Sequence, residues 1–165
     1  MSPTGVGSAA AGIRPVVPGW TIRSATVQDI ASVLSLWETA GTPPGVSDTR
    51  TGLLGLLTAN RDALLIAESE GVTVGSLIAV WDGWRGSFYR LAVHPSQRRQ
   101  GIAMALLREG ERRLRERGAA RLTAIAIDED PAAIGFWQAA GYERQQHRAR
   151  FVRHPDARGQ HRFVP

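Results

Sequence analysis

Apolar residues along this chain fall into short clusters with two different spacings. In the first predicted helix, Ile30, Val33, Leu34 and Trp37 recur three and four residues apart and form one apolar stripe. Short continuous or alternating apolar runs predict strands instead. Such runs occupy 20–25, 63–68, 73–81, 88–93, 122–127 and 142–152, and a weak one occupies 162–164.

Polar residues, prolines and glycines mark where these elements end. Thr26 with Asp29 three residues later is typical of a capping box, so the first helix is expected to start there. Two prolines make 41–47 a loop, after which a second short helix ends near Asn60. The stretch 69–72 predicts a tight hairpin between the second and third strands.

A long amphipathic helix is predicted at 97–117, where Gly118 ends it. Glu109 with Arg113 and Glu111 with Arg115 are spaced for ion pairs on its wet side. Asp130 caps a last helix that Pro131 opens. The element order is therefore βααβββαβαββ, an α/β chain in which helix 97–117 makes a parallel βαβ crossover.

Length and composition favour one enzyme-sized domain. A chain of 165 residues, 43% of them hydrophobic, supports a single core. Residues 1–18 are small and rich in proline and glycine, so we expect a disordered tail before a domain at 19–165. The chain has no cysteine, which excludes disulfides, thiolate metal sites and an acyl-cysteine mechanism. Without a signal peptide or an apolar span we expect a cytoplasmic protein, and a monomer or homodimer.

The net charge of +5 raises the possibility of a nucleic-acid partner. Much of the excess is arginine near the C-terminus, with no interleaved aromatic residues to stack on bases, so we expect no nucleic-acid partner and no membrane partner. His147, His154 and His161 lack the spacing of a ligand set and have no acidic cluster beside them. We therefore expect no metal.

The segment Arg98-Arg99-Gln100-Gly101-Ile102-Ala103 lies where strand 88–93 gives way to the long helix. The first turn of a helix has backbone N–H groups without partners and a partial positive charge, which together bind phosphate. Gly101 and Ala103 leave the main chain accessible, and two arginines add donors. The segment predicts a diphosphate site; a solvated helix start is the alternative.

Strand residues 91–95 followed by RxxGxA resemble the acyl-CoA motif of the GNAT superfamily, the Gcn5-related N-acetyltransferases. A second stretch, 130–142, is similar to the NxxAxxFYxxxGF signature of the same family. The resemblance covers the chain from about Trp20 to its end. It implies the GNAT fold, a mixed sheet of six to seven strands with helices on both faces, and N-acetyl transfer from acetyl-CoA to a primary amine.

The resemblance also implies a bulge in the motif strand and a cleft for pantetheine between 91–93 and 125–127. By resemblance, the acyl-CoA contacts fall in two groups. The first is Leu91, Ala92, Val93, Arg98, Arg99, Gly101, Ile102, Ala103 and Met104; the second is Asp130, Ala133, Phe136 and Trp137.

The chain departs from the family pattern at the acid and base positions. Trp137 stands where many members have a tyrosine that protonates the thiolate, and indole is no proton donor. Tyr89 replaces a glutamate common in the motif strand. Tyr89 and Glu68 are our candidate catalytic residues, with Asp128 as an alternative that acts through water.

The acceptor amine is left open: a small molecule or a peptide N-terminus fits. By resemblance it approaches between 38–47 and 147–153. Three alternatives to an acetyltransferase also stay open. They are a non-catalytic acyl-CoA sensor, a nucleic-acid-binding domain and, least of all, a dinucleotide-binding domain.

Overall fold

The computed structural model describes residues 19–127 and 129–153. Contacts divide the chain into two compact units, with the division between Ile125 and Ala126. Within the described residues the first unit holds a five-stranded sheet and three α-helices, and the second holds one α-helix. In chain order the elements are β1 (Thr21–Ser24), α1 (Ile30–Thr39), α2 (Arg50–Ala59), β2 (Leu64–Ser69), β3 (Val72–Trp81), β4 (Gly86–Val93), α3 (Ile102–Glu116), β5 (Leu122–Ala124) and α4 (Pro131–Ala139).

The strands of the sheet follow their order in the sequence, β1-β2-β3-β4-β5. The first four pair antiparallel, and β5 pairs parallel to β4 through the α3 crossover. The hairpin between β2 and β3 turns at Glu70 and Gly71, which both have positive φ, as a two-residue turn requires. The predicted α/β class, the GNAT element order through α4 and the parallel crossover are confirmed.

Helices cover both faces of the sheet in the first unit. On one face α1 and α2 bury Val33, Trp37 and Leu53 against Ile66 and Ile78. On the other face α3 buries an apolar stripe against β3 and β4, and its members are Ile102, Leu106, Leu107 and Leu114.

Glycines let α3 approach this sheet closely. A Cβ on Gly110 would lie 2.9 Å from Cε1 of Phe88, and one on Gly75 would lie 2.8 Å from Cγ2 of Ile102. The expected helices on both faces are therefore confirmed, and α3 lies nearer the sheet than larger residues would allow.

Several predicted helix ends and side-chain pairs are also confirmed. Thr26 and Asp29 form the capping box, although the first turn is a 3₁₀ helix and α1 begins at Ile30. Glu109 pairs with Arg113, and the second predicted pair of α3 forms as well. Arg23 hydrogen-bonds Asp29 and lowers the pKa of that carboxyl strongly, so the cap is charged at neutral pH.

Helix α3 starts later than predicted. The expected helix 97–117 begins at Ile102, after a one-turn 3₁₀ helix at Pro95–Gln97. Arg98 is extended, and Arg99 and Gly101 have φ of 65° and 81°, so the chain cannot be helical across 98–101. His94 holds the preceding turn, because its Nδ1 accepts from the Ser96 amide.

The sheet is smaller than predicted within the described residues, with five strands instead of six to seven. The expected strand 122–127 ends at Ala124, and Ile125 is half exposed. The expected strand 142–152 does not form: 143–153 are exposed and outside any helix or strand. That stretch is rich in arginine and lacks an apolar face to bury, so it has little to gain from pairing. The expected tail 1–18 and strand 162–164 lie outside the described residues.

Candidate active site

Strand β4 carries a bulge at Arg90. Ser76 of β3 pairs with Ala92 and Ile78 pairs with Tyr89, so Arg90 and Leu91 both lie opposite a single β3 residue. Arg90 has a φ of 52°, in the left-handed region that a side chain rarely adopts. A bulge bends a strand and redirects the groups that follow it. The bulge expected from the family resemblance is therefore present.

A buried serine satisfies the main chain at the bulge. The Ser76 hydroxyl donates to the Arg90 carbonyl at 3.2 Å and accepts from the Trp37 indole N–H at 2.8 Å. Ser76 has no exposed surface. Because a buried carbonyl without a partner is costly, this pair of hydrogen bonds stabilises the bulged conformation.

Beyond the bulge, one edge of β4 is open. In the described chain β4 pairs with β5 only from Gly86 to Phe88. On the β3 side the His94 amide donates to the Val74 carbonyl at 2.8 Å. Since neighbouring residues of a strand point their amides to opposite edges, the Val93 amide and carbonyl face the open edge. The segment 91–93 therefore offers main-chain groups to an extended ligand.

The start of α3 lies directly after this open segment. The first intrahelical bond runs from the Ala105 amide to the Gly101 carbonyl at 3.0 Å. The amides of Ile102, Ala103 and Met104 precede it and have no backbone partner among the described residues. A Cβ built on Gly101 meets no atom within 4 Å. These three amides lie where the sequence predicts a diphosphate site, they are accessible from outside, and we call them the anion cradle.

The two arginines before the helix have different surroundings. Arg98 donates to the carbonyls of Val93 at 3.3 Å and Ala40 at 3.0 Å, so it ties the end of β4 to the end of α1. Arg99 is exposed, and its side chain has no hydrogen-bond partner in the part of the chain that is described. From Leu91 to Arg108 the sequence has no acidic residue. Helix dipole and arginine charge therefore make this surface attractive to an anion.

The two candidate catalytic residues lie apart from each other. Tyr89 is 41% exposed and is paired with Ile78, so it lies on the α1 and α2 face next to the bulge. Glu68 lies on β2, two strands from β4, where its Oε2 accepts from Nη2 of Arg23 at 2.7 Å. The structure thus brings Tyr89 to the open edge of β4 and places Glu68 in an ion pair elsewhere.

The second unit holds the other predicted acyl-CoA contacts. Asp130 caps α4, since its Oδ1 accepts from the amides of Ala132 and Ala133 at 3.0 Å each. The Phe136 and Trp137 rings lie edge to face on α4, with centroids 5.4 Å apart. Asp128, the alternative acid or base, lies outside the described residues.

Two kinds of feature are absent from the described residues. They contain no group of three or more His, Cys, Asp or Glu side chains placed to hold a metal ion. No helix in the same ranges is long and apolar enough to cross a bilayer.

Sequence reasoning missed Arg90 as a site residue. Its signal was a charged side chain inside the otherwise apolar strand 88–93, just before the motif. The sequence carried a weaker signal for the role of the Ser76 hydroxyl, because a serine within a strand is common.

Comparison with known proteins agrees with this geometry. The profile of the Acetyltransferase (GNAT) family matches residues 30–142. An acetyltransferase of Yersinia pestis (strain Pestoides F) is 34% identical over 124 residues, which are 75% of this chain and 88% of that relative.

Solved structures share the fold. Ard1 from Thermoplasma volcanium superposes with a TM-score of 0.68 at 22% identity, over 74% of this chain and 82% of that one. The aminoglycoside N-acetyltransferase AAC(6')-Iy in complex with CoA has a TM-score of 0.66 at 21% identity, over 87% and 99%. The chain belongs to the GNAT family of acetyltransferases.

Proposed function

We propose that this enzyme transfers the acetyl group of acetyl-CoA directly to a primary amine of a small molecule or peptide. The observation that carries the proposal is the junction of β4 and α3. There an open strand edge with the Val93 amide facing outward leads into a helix start whose amides have no backbone partner among the described residues. Acetyl-CoA has matching parts in the same order, an extended pantetheine arm and then a diphosphate.

The residues of this junction fit the donor. The amides of Ile102, Ala103 and Met104 and the exposed Arg99 supply donors for the diphosphate. The edge at 91–93 would receive the amides of pantetheine as a sheet receives an added strand. Arg98 shapes the cradle through its two carbonyl contacts. We also assign Asp130, Ala133, Phe136 and Trp137 to acyl-CoA binding, on the family pattern.

In the proposed reaction a neutral amine attacks the carbonyl carbon of the thioester. The new C–N bond forms, the C–S bond breaks, the thiolate of CoA leaves, and the nitrogen loses one proton. Negative charge grows on the carbonyl oxygen on the way, so fixed N–H donors along 91–93 stabilise the transition state more than the ground state. Tyr89, half exposed beside that edge, is our candidate for the proton transfer.

The test is release of free thiol from acetyl-CoA with a panel of amines. Spermidine, kanamycin, glutamate and a trialanine peptide cover four acceptor classes. We expect acceptor-dependent thiol release with at least one of them, and mass spectrometry of the product should show one added acetyl group. No release above the rate without amine, across the panel, would count against the proposal.

Binding is measured in parallel, because it separates the enzyme from a non-catalytic acyl-CoA sensor. Acetyl-CoA at a hundred times its Kd should stabilise the protein by about 2.7 kcal/mol and raise Tm by roughly 5–11 °C. A clear Tm rise with no turnover would favour the sensor. If acetyl-CoA does not raise Tm, the proposed acetyl-CoA site is refuted as well.

A further inference from the structure

The Arg90 side chain clamps the connection between α1 and α2. Its Nε donates to Oδ1 of Asp48 at 3.1 Å, its Nη2 contacts Oδ2 of the same carboxylate, and its Nη1 donates to the Pro43 carbonyl at 3.0 Å. The two side chains are only 18% and 11% exposed. This is a two-point ion pair, shielded from water, between the bulge of β4 and a segment 42 residues away.

The connection is shaped around this guanidinium. The Gly45 amide donates to Oδ2 of Asp48 at 2.6 Å, and a Cβ on Gly45 would lie 2.9 Å from Nη2 of Arg90. The centroid of the Trp37 ring lies 5.3 Å from Cζ of Arg90. The loop therefore closes over Arg90, and no larger residue fits at Gly45 without a shift.

A second arginine ties the other end of the same connection to β4. Arg98 bonds the Ala40 carbonyl, where α1 ends, and the Val93 carbonyl, where β4 ends. Arg90 and Arg98 thus flank the open segment 91–93 and anchor it on both sides to residues 40–48. Asp48 is the only charged residue in 40–48, and its ion pair leaves that stretch without net side-chain charge.

The bulge alone does not account for an arginine at position 90. The left-handed backbone there favours glycine or asparagine. The arginine side chain adds the ion pair with Asp48 and the hydrogen bond to the Pro43 carbonyl, which together we call the clamp. One residue therefore sets two things at once, the bulge through its main chain and the position of the 40–48 connection through its side chain.

We propose that Arg90 is a positioning residue that, with Asp48, holds connection 40–48 as the wall along which the acceptor amine reaches the thioester. This inference rests on the proposed function, because it assumes acetyl transfer at 91–93. It adds that the Arg90–Asp48 ion pair fixes the acceptor wall to the strand that carries the donor edge. The wall presents proline, glycine and an exposed Val46 instead of free charge.

The experiment breaks the clamp from each side. Arg90→Gly keeps a residue suited to the left-handed backbone and removes the guanidinium, and Asp48→Asn keeps the shape and removes the charge. Glu111→Gln is the matched control, since it breaks the Arg115 pair on the wet side of α3. Each variant is assayed with whichever of spermidine, kanamycin, glutamate or trialanine the wild type acetylates, well below the variant's own Tm.

We expect both clamp variants to lower kcat/KM for the amine by about ten- to hundredfold, with the calorimetric Kd for acetyl-CoA within about twofold of wild type. The double variant should be no worse than the worse single one, because both remove the same interaction. Arg90→Lys should recover activity only in part, since an ammonium cannot make the two-point contact. Glu111→Gln should leave both quantities unchanged.

Two results would overturn the inference. One is amine kinetics in the clamp variants equal to wild type. The other is a parallel loss of amine turnover and acetyl-CoA affinity, which a general loss of structure would produce. The proposed function fails differently, when the wild type itself releases no thiol.

Discussion

Substitution at Gly101 separates the stability of the fold from its affinity for acetyl-CoA. The residue has a φ of 81° and open space where a Cβ would stand. Gly101→Gln and Gly101→Glu are therefore expected to fold, with a backbone cost of about 1–2 kcal/mol each. In a chain of this size that cost lowers Tm by roughly 2–8 °C. The Glu variant should be the more stable by about 0.3–1 kcal/mol, because its carboxylate lies at the positive end of α3.

Affinity for acetyl-CoA should follow the opposite order. A carboxylate about 4 Å from a phosphate charge near a protein surface is repelled by up to about 4 kcal/mol, and solvent around an exposed side chain reduces this. If this repulsion amounts to about 2–4 kcal/mol, Gly101→Glu should bind acetyl-CoA roughly thirtyfold to a thousandfold more weakly than Gly101→Gln. The two side chains have nearly the same volume, so this ratio isolates charge.

Isothermal titration calorimetry of both variants with acetyl-CoA measures that ratio, and thermal unfolding without ligand measures the stability order. Equal affinities in the Glu and Gln variants would refute the assignment of the diphosphate to these amides. A Glu variant that fails to unfold cooperatively would instead contradict the open space seen at Gly101.

Three further predictions concern the scaffold. Gly110→Ala should destabilise the protein by about 1–3 kcal/mol in urea unfolding, because the added Cβ is crowded by β3 and β4. The control Gly55→Ala lies in open space on α2 and should be neutral or stabilising by up to about 1 kcal/mol. Equal effects of the two substitutions would contradict the close packing at Gly110. Hydrogen bonds from two α3 arginines lower the pKa of Glu109 to about 2, so its contribution of about 1 kcal/mol is full above pH 4.5 and lost as the pH falls toward 2. Glu109→Gln should flatten the acid limb of the stability curve by that amount, and an unchanged limb would argue against the pairing. Ser76→Ala should cost about 1–3 kcal/mol in urea unfolding, because it leaves the buried indole N–H of Trp37 and the Arg90 carbonyl without their shared partner; an unfolding free energy equal to wild type would argue against these two hydrogen bonds.

Local signals in the sequence are enough to predict most of the framework. The capping box at Thr26, the hairpin at Glu70 and Gly71 and the ion pairs of α3 each depend on residues a few positions apart. The same holds for the unpartnered amides at the start of α3, because a glycine before an amphipathic helix implies such amides wherever the helix packs. Such features were predicted with small errors in their bounds.

Features that depend on distant parts of the chain were not predictable in the same way. The Arg90 bulge is stabilised by Ser76 and Trp37, and the Arg90 side chain by Asp48, none of them near it in sequence. The late start of α3 requires left-handed backbone at Arg99, and an arginine in the sequence does not indicate that conformation. Strand 142–152 was predicted from a few apolar residues among many charged ones, and burial does not support it.

Close packing at one point explains why the cradle lies level with the open edge of β4. Gly75 of β3 pairs with Val93, the last residue of β4, and a Cβ on Gly75 would lie 2.8 Å from Ile102 and 3.0 Å from Leu106. Ile102 is the first residue of α3, so the absence of a side chain on β3 lets the first turn of the helix descend beside Val93. Arg98 then bonds the Val93 carbonyl across the short loop between them. The distance between the strand edge and the helix amides is thus set by the core beneath them, and we expect the proposed acetyl-CoA to span that distance.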